Sequence, residues 1–140
     1  MSITFEKVLI LKNIPIFVEA SEMALSDLIA ACEEKTYKAG DVIIDNKTVN
    51  RYLYIILSGS IRVMDGETVM HELSARQFLG ETTVLSPAVL PFESIAHEKT
   101  TLLRIGGDRL YQMMALHPSL GKAFIGELSK RLRQEQLKNI

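Results

Sequence analysis

The sequence is poor in cysteine, in aromatic residues and in excess charge of either sign. Its 140 residues include one cysteine, no tryptophan and a formal net charge of −1. A single cysteine, Cys32, excludes an internal disulfide, and its place in an apolar helical pattern predicts a buried small hydrophobe rather than a nucleophile. Because nucleic-acid binding needs a basic surface, the balanced charge predicts no nucleic-acid contact by this chain alone.

Long apolar runs and targeting signals are also lacking. No run approaches the roughly 18 apolar residues of a membrane span, and the N-terminus lacks the features of a signal peptide. We therefore expect a cytoplasmic protein. The content of 47% hydrophobic and 24% charged residues is typical of a globular protein. A chain of this length predicts a single domain, residues 1–140.

Apolar residues at helical spacing predict helices in the first quarter of the chain. Residues 2–11 suit a short helix that Asn13 and Pro15 interrupt. Ser21 is then expected to cap a second helix that ends near Tyr37.

The end of the chain is predicted to be helical as well. A helix over 109–116 should end at the His117-Pro118 pair, and a last helix should run from Ser119 towards Leu137. This last helix has an apolar stripe opposite a basic face. The stripe is Leu120, Phe124, Leu128, Leu132 and Leu137, and the basic residues are Lys122, Lys130, Arg131 and Arg133.

Between these helices the apolar residues alternate over short runs separated by turn signals. Such spacing predicts short strands in an antiparallel sandwich or barrel. The Asp65-Gly66 pair, flanked by alternating residues, predicts a hairpin. Two further strands are expected at 94–98 and 101–105, with a turn at Lys99.

The order of these elements, together with five short motifs, resembles the cyclic nucleotide-binding domain family. That family includes the sensor domains of catabolite activator-type regulators and protein kinase A regulatory subunits. The matching stretches span about residues 8–134. They are Ile14-Pro15-Ile16-Phe17, Tyr37-Lys38-Ala39-Gly40-Asp41-Val42-Ile43, residues 52–63 ("YLYIILSGSIRV"), Phe78-Leu79-Gly80-Glu81 and Leu116-His117-Pro118.

The resemblance implies a mainly β fold, an eight-stranded antiparallel jelly-roll barrel with flanking helices. The helices would lie at about 2–36 and 108–137, with the barrel at about 37–106. It also implies that residues 78–95 are the phosphate-binding cassette, a short helix and loop. In that family the cassette backbone and an arginine bind the cyclic phosphate, and a glutamate binds the ribose; Gly80 and Glu81 match the glycine and the glutamate.

The family's arginine has no counterpart in this cassette. Its position falls on Leu90, or on Pro91 if the loop has one extra residue. We expect the other nearby cations, Arg62, Arg76, Lys99 and Arg104, to be solvated surface charges. A phosphate would then meet Glu81 and Glu93 without a guanidinium, so we do not expect tight binding of cAMP or cGMP.

Seven residues are the candidate ligand-binding set of the cassette. Five of them, Glu81, Thr82, Thr83, Phe92 and Ser94, also have a structural interpretation: a threonine in a first helical turn can serve as a cap, for example, and an aromatic residue in an apolar loop can belong to the core. The candidates are Gly80, Glu81, Thr82, Thr83, Phe92, Glu93 and Ser94.

A jelly-roll barrel also raises the alternative of a metal enzyme built on strand histidines. The three histidines, His71, His97 and His117, include no His-x-His pair, and no activated serine or cysteine arrangement is visible. We predict no catalytic residue, no metal site and no enzymatic activity.

Two functional hypotheses remain. The first is a regulatory domain that senses a nucleotide-like small ligand at 78–95 and transmits binding to the C-terminal helices. The second is a protein-interaction module that has lost small-molecule binding, with a homodimer or an effector domain as partner through the last helix.

Overall fold

The computed structural model describes residues 2–138 as four helices and ten strands. Helices α1 (Ser2–Lys12) and α2 (Glu22–Ala31) are joined through a 3-10 turn at Pro15–Phe17, and α3 (Gly107–Leu116) and α4 (Pro118–Lys138) follow the strands. The strands are β1 Glu33–Tyr37, β2 Val42–Ile44, β3 Val49–Asn50, β4 Tyr52–Ser58, β5 Ser60–Asp65, β6 Thr68–Ser74, β7 Phe78–Leu79, β8 Ala88–Val89, β9 Glu93–Ala96 and β10 Thr100–Gly106.

The prediction that the second helix continues to Tyr37 is wrong. Ser21 caps α2 as predicted, since its side-chain oxygen accepts a hydrogen bond from the Ala24 amide at 3.0 Å. However, the backbone becomes extended at Cys32, and Glu33–Tyr37 pairs antiparallel with β10. These five residues contain no apolar stripe that a helix could bury, so pairing with a neighbouring strand determines their conformation.

The strands form two four-stranded antiparallel sheets and one short pair. The sheet orders are β1-β10-β4-β7 and β2-β9-β5-β6, and β3 pairs with β8. Eight of the ten described strands therefore build the two larger sheets, and the mainly β, jelly-roll fold with flanking helices is confirmed.

The predicted hairpin at Asp65-Gly66 is confirmed. Strands β5 and β6 pair from Ser60 opposite Ser74 to Asp65 opposite Thr68. Gly66 takes φ +61° in the turn, a conformation that glycine adopts without steric cost.

Strand β4 separates two apolar clusters because successive side chains point to opposite faces. Leu53 and Ile55 pack with α1, α2, α3 and α4, whereas Tyr54 and Ile56 pack between the two large sheets. Burial on both faces explains the unbroken apolar run in this strand.

The last helix packs against the rest of the protein along its first half. Leu120 and Phe124 are buried and Leu128 is partly buried, but Leu132 and Leu137 are 61% and 68% exposed. The predicted apolar stripe is thus covered near the N-terminal end of α4 and open near its C-terminal end. Among residues 2–138, no helix has the length and apolar character to cross a bilayer.

Candidate functional site

A cavity of about 490 Å³ lies between the barrel, the segment that follows β7, and α4. The Pro15–Phe17 turn, on which α4 packs, contributes Pro15 and Ile16 to its wall. This size lies within the roughly 300–1,000 Å³ of small-molecule pockets.

The segment after β7 is a hydrogen-bonded turn, so the expected short helix is absent there. The amides of Thr83 and Val84 both donate to the Gly80 carbonyl, at 3.2 and 3.0 Å. Gly80 has φ +89°, and a Cβ at this position would lie 2.2 Å from the Tyr52 carbonyl oxygen. Only glycine allows the turn to pass so close to β4.

Five of the seven candidate residues line the cavity, and two do not. The cavity residues are Gly80, Glu81, Thr82, Phe92 and Ser94.

Thr83 and Glu93 are absent from the cavity wall. Thr83 is 3% exposed and its hydroxyl accepts a hydrogen bond from Asn50 Nδ2 at 2.9 Å. Glu93 begins β9, opposite Met64. In this structure Thr83 joins the turn to Asn50, which differs from the helix-capping role given as its structural interpretation above.

Of the two residues that the sequence alignments place at the family's arginine position, Leu90 lines the cavity. Leu90, Phe92 and Ser94 line the cavity at alternate positions, whereas Pro91 is exposed and is not part of the wall. The structure thus favours the alignment without an inserted residue. The cassette contributes no guanidinium to the cavity in this arrangement.

A guanidinium does reach the cavity, from α4. Arg131 Nη1 is ion-paired with Glu81 Oε1, and Arg131 Nε donates to Glu127 Oε2 at 2.9 Å. The guanidinium also lies 4.8 Å from the centre of the Phe78 ring.

From the sequence, Arg131 was assigned only to the basic face of the last helix, opposite its apolar stripe. The Glu127–Arg131 spacing is readable as a helical pair, but the contact with Glu81, 50 residues away, has no local signal.

Two more cations line the cavity, Arg76 and Lys130. Arg62 and Arg104 instead pair with surface glutamates, Glu72 at 2.8 Å and Glu33 at 3.0 Å. Arg76 is exposed, as expected for a solvated surface charge, and its side chain also lines the cavity.

The described residues hold no group of three or more metal-binding side chains. His71 lines the cavity, and His117 Nε2 lies 2.8 Å from Asp27 Oδ2, linking the α3–α4 junction to α2.

Comparison with known proteins identifies similar sequences and folds. The sequence profile of the family described as "Cyclic nucleotide-binding domain" matches residues 34–117, more than half of the chain. No curated protein sequence matches.

Three solved structures illustrate the fold. The sensor domain of the transcriptional regulator DNR from Pseudomonas aeruginosa is 18% identical, with a TM-score of 0.81 and coverage of 100% of this chain and 97% of that one. The N-terminal domain of a transcriptional regulator from Streptomyces coelicolor A3(2) is 18% identical, with a TM-score of 0.81 and coverage of 94% and 95%. The catabolite activator protein of Thermus thermophilus is 20% identical, with a TM-score of 0.80, and the match covers 89% of this chain and 61% of that one. At such low identity these likenesses concern the fold alone.

Proposed function

Because the chain belongs to the cyclic nucleotide-binding domain family, we propose that it is a regulatory domain that senses a small anionic ligand and transmits binding through α4. The observation that carries this proposal is the ion pair between Glu81 in the cassette and Arg131 in α4. One side chain of the expected binding segment is thereby attached to the element expected to move.

The ion pair provides a physical route from ligand to helix. A ligand in the cavity would compete for Glu81 or attract Arg131. Either contact changes the free-energy difference between α4 attached as seen here and α4 released. The second half of α4 is the part of the helix most easily released, since Leu132 and Leu137 bury little apolar surface. Ligand binding then shifts the population between an attached and a released helix.

Cyclic nucleotides should bind weakly in the pose used by the family. Leu90 aligns with the family's phosphate-binding arginine when the loop has no extra residue, and this side chain lines the cavity without offering a hydrogen bond. A charge-assisted hydrogen bond contributes about 1.5–3 kcal/mol, so its absence corresponds to a roughly 10- to 150-fold loss of affinity.

The site supports binding rather than catalysis. Its charged side chains are ion-paired or lie at the cavity edge, and no nucleophile is hydrogen-bonded to a base in the described cavity wall.

A second candidate function is a protein-interaction or dimerisation module. It is favoured by the exposed apolar side chains of α4, among them Ile125, Leu132 and Leu137. Sedimentation of the wild-type chain and of Leu132→Asp tests this candidate: a dimer that the substitution dissociates supports it, and a monomer at all concentrations contradicts it.

Hydrogen exchange on Glu81→Gln tests the proposed coupling. This substitution removes one partner of the Arg131 ion pair, which contributes about 1 kcal/mol for a partly exposed pair. Amides in residues 125–138 should then exchange roughly 5-fold faster, whereas the barrel strands should not change.

The matched control is Glu93→Gln. Glu93 is a cassette carboxylate that neither lines the cavity nor has an ion pair among the described side chains. Equal exchange of α4 in both variants would show that Glu81 does not hold the helix, and the proposal would be wrong.

Ligand-dependent movement can be followed with a fluorophore at Leu132→Cys. The native thiol will not compete for the label, because burial raises the pKa of Cys32 to about 12. Titration with cAMP and cGMP should change the label's emission only at high concentration, in parallel with the heat measured by calorimetry.

A further inference from the structure

The inner wall of the cavity is apolar. Leu79 and Ile44 are buried, and Leu90 and Phe92 are partly buried beside them. Ser94 is the buried polar residue of this wall: it is 4% exposed, and its hydroxyl, which has no side-chain hydrogen bond to the described residues, is not enclosed by protein. The wall therefore suits a hydrocarbon or aromatic group that carries no more than one or two polar atoms.

The positive charge of the cavity lies at its exposed edge. Arg76, in the turn between β6 and β7, and Lys130, in α4, line the cavity and have no ion-pair partner among residues 5–138. Arg131 is shared between Glu81 and Glu127. The wall contains three lysine or arginine side chains and two carboxylates, so its formal net charge, histidine not counted, is +1.

The backbone at Arg76 is a second sign that this edge is specialised. Arg76 has φ +75° and is the one non-glycine residue with positive φ in the part of the chain that the structure describes. A long side chain seldom takes this conformation, and such residues are concentrated at binding sites. The conformation belongs to the turn in which the Gln77 amide donates to the Ser74 carbonyl at 3.1 Å, and the Arg76 side chain lines the cavity.

We propose that the ligand is an amphipathic organic monoanion, an aromatic or branched aliphatic body with one carboxylate. This inference rests on the proposed ligand-sensing function. The apolar body occupies the inner wall at Leu90 and Phe92, and the carboxylate lies at the edge between Arg76 and Lys130. One negative charge neutralises the +1 of the cavity wall.

A cyclic nucleotide fits this distribution of polarity poorly. Entering with its phosphate towards the cassette, it would place an anion against Leu90 and Phe92, and Glu81, the carboxylate aligned with the ribose-binding glutamate, is already ion-paired with Arg131. Burying an unpaired anion costs far more than burying a hydrocarbon. The cations at the edge instead attract an anion that enters with its apolar end first.

Calorimetry with a matched pair of compounds tests the inference. The pair is 3-phenylpropionate and its neutral amide, 3-phenylpropionamide, with cAMP and inorganic phosphate titrated in parallel. The acid should bind at least about 10-fold more tightly than the amide, because a charged hydrogen bond separates them. Inorganic phosphate, which lacks the apolar body, should not bind detectably.

Variants locate the carboxylate. Arg76→Gln and Lys130→Gln should each weaken binding of the acid about 10-fold and leave binding of the amide unchanged. The control is Arg133→Gln, an identical change of charge on the same helix at an exposed residue outside the cavity wall. It should change neither affinity.

Three results would overturn the inference. They are equal affinities for acid and amide, no heat from the acid at about 1 mM, and tighter binding of cAMP than of the acid. The last result, accompanied by a response of the Leu132→Cys label, would leave the proposed sensing function in place. Failure of the proposed sensing function would be seen in a separate experiment, as unchanged hydrogen exchange of the α4 amides in the Glu81→Gln variant.

Discussion

Replacing Gly80 with alanine should destabilise the protein severely through two separable effects. The residue has φ +89°, where a side chain strains the backbone by about 1–2 kcal/mol. The new Cβ would also lie 2.2 Å from the Tyr52 carbonyl oxygen and 3.1 Å from Asn50 Nδ2. Relief of the first contact requires the turn and β4 to move apart.

The total cost can be estimated by adding these effects. Forcing an extra methyl group into a filled space costs about 1–3 kcal/mol, so the sum is about 2–5 kcal/mol. For a chain of this size, this lowers the melting temperature by roughly 10 °C. Because Gly80 positions Glu81, the remaining folded protein should also show faster exchange in α4.

Two other glycines provide matched controls in urea unfolding followed by far-UV circular dichroism, which suits a chain without tryptophan. Gly66→Ala has the backbone cost alone, since φ is +61° and nothing lies within 4 Å of the new Cβ. Gly126→Ala, in α4 with nothing within 4 Å, should stabilise by up to about 1 kcal/mol. If Gly80→Ala costs no more than Gly66→Ala, the close approach to Tyr52 is not a constraint and the reasoning fails.

Further substitutions separate the roles of the neighbouring residues. Leu90→Arg should raise cAMP affinity by roughly 10- to 150-fold in calorimetry, whereas Pro91→Arg should not, because Leu90 lines the cavity and Pro91 does not. An equal gain from both substitutions would contradict the alignment of Leu90 with the family's arginine. Thr83→Val removes one of the two 2.9 Å hydrogen bonds that Asn50 Nδ2 donates, the other going to the Tyr52 carbonyl, and should cost about 1–3 kcal/mol in urea unfolding with ligand affinity unchanged. Lost ligand affinity at full stability would show that Thr83 contacts the ligand. Burial raises the pKa of the Cys32 thiol from 9.0 to about 12. The contribution of the neutral buried thiol to the free energy of unfolding is therefore complete below pH 9 and is lost as the pH rises towards 12. Alkylation of Cys32 at pH 8.5 should accordingly be much slower in the native protein than in urea, and equal rates would show that the thiol is exposed.

Much of the fold was readable from local patterns. The Ser21 cap and the Asp65-Gly66 hairpin involve residues within a few positions of one another, and both are present. Glu33–Tyr37 was assigned wrongly because its conformation depends on β10, about 70 residues away in the chain. The candidate site was found in part, since Gly80, Glu81, Thr82, Phe92 and Ser94 lie in one segment with a recognisable motif.

The position of Arg76, Lys130 and Arg131 at the cavity was not predicted from the sequence, for a related reason. Arg131 and Lys130 belong to a helix whose apolar stripe accounts for its sequence, and nothing local shows that its polar face lies across the cavity. Arg76 is in an ordinary polar turn, and its left-handed backbone is visible only in three dimensions.

By itself, the sequence determined the succession of short strands between helices, the family of the domain and the absence of an arginine from residues 78–95. These properties follow from side-chain periodicity, turn chemistry and the identity of single residues. Only the tertiary structure decided that Leu90 rather than Pro91 lines the cavity, and that positive charge reaches it from Arg76 and α4. The reason is physical: the charge of a cavity is the sum over side chains that distant segments bring together, and no local pattern encodes that sum.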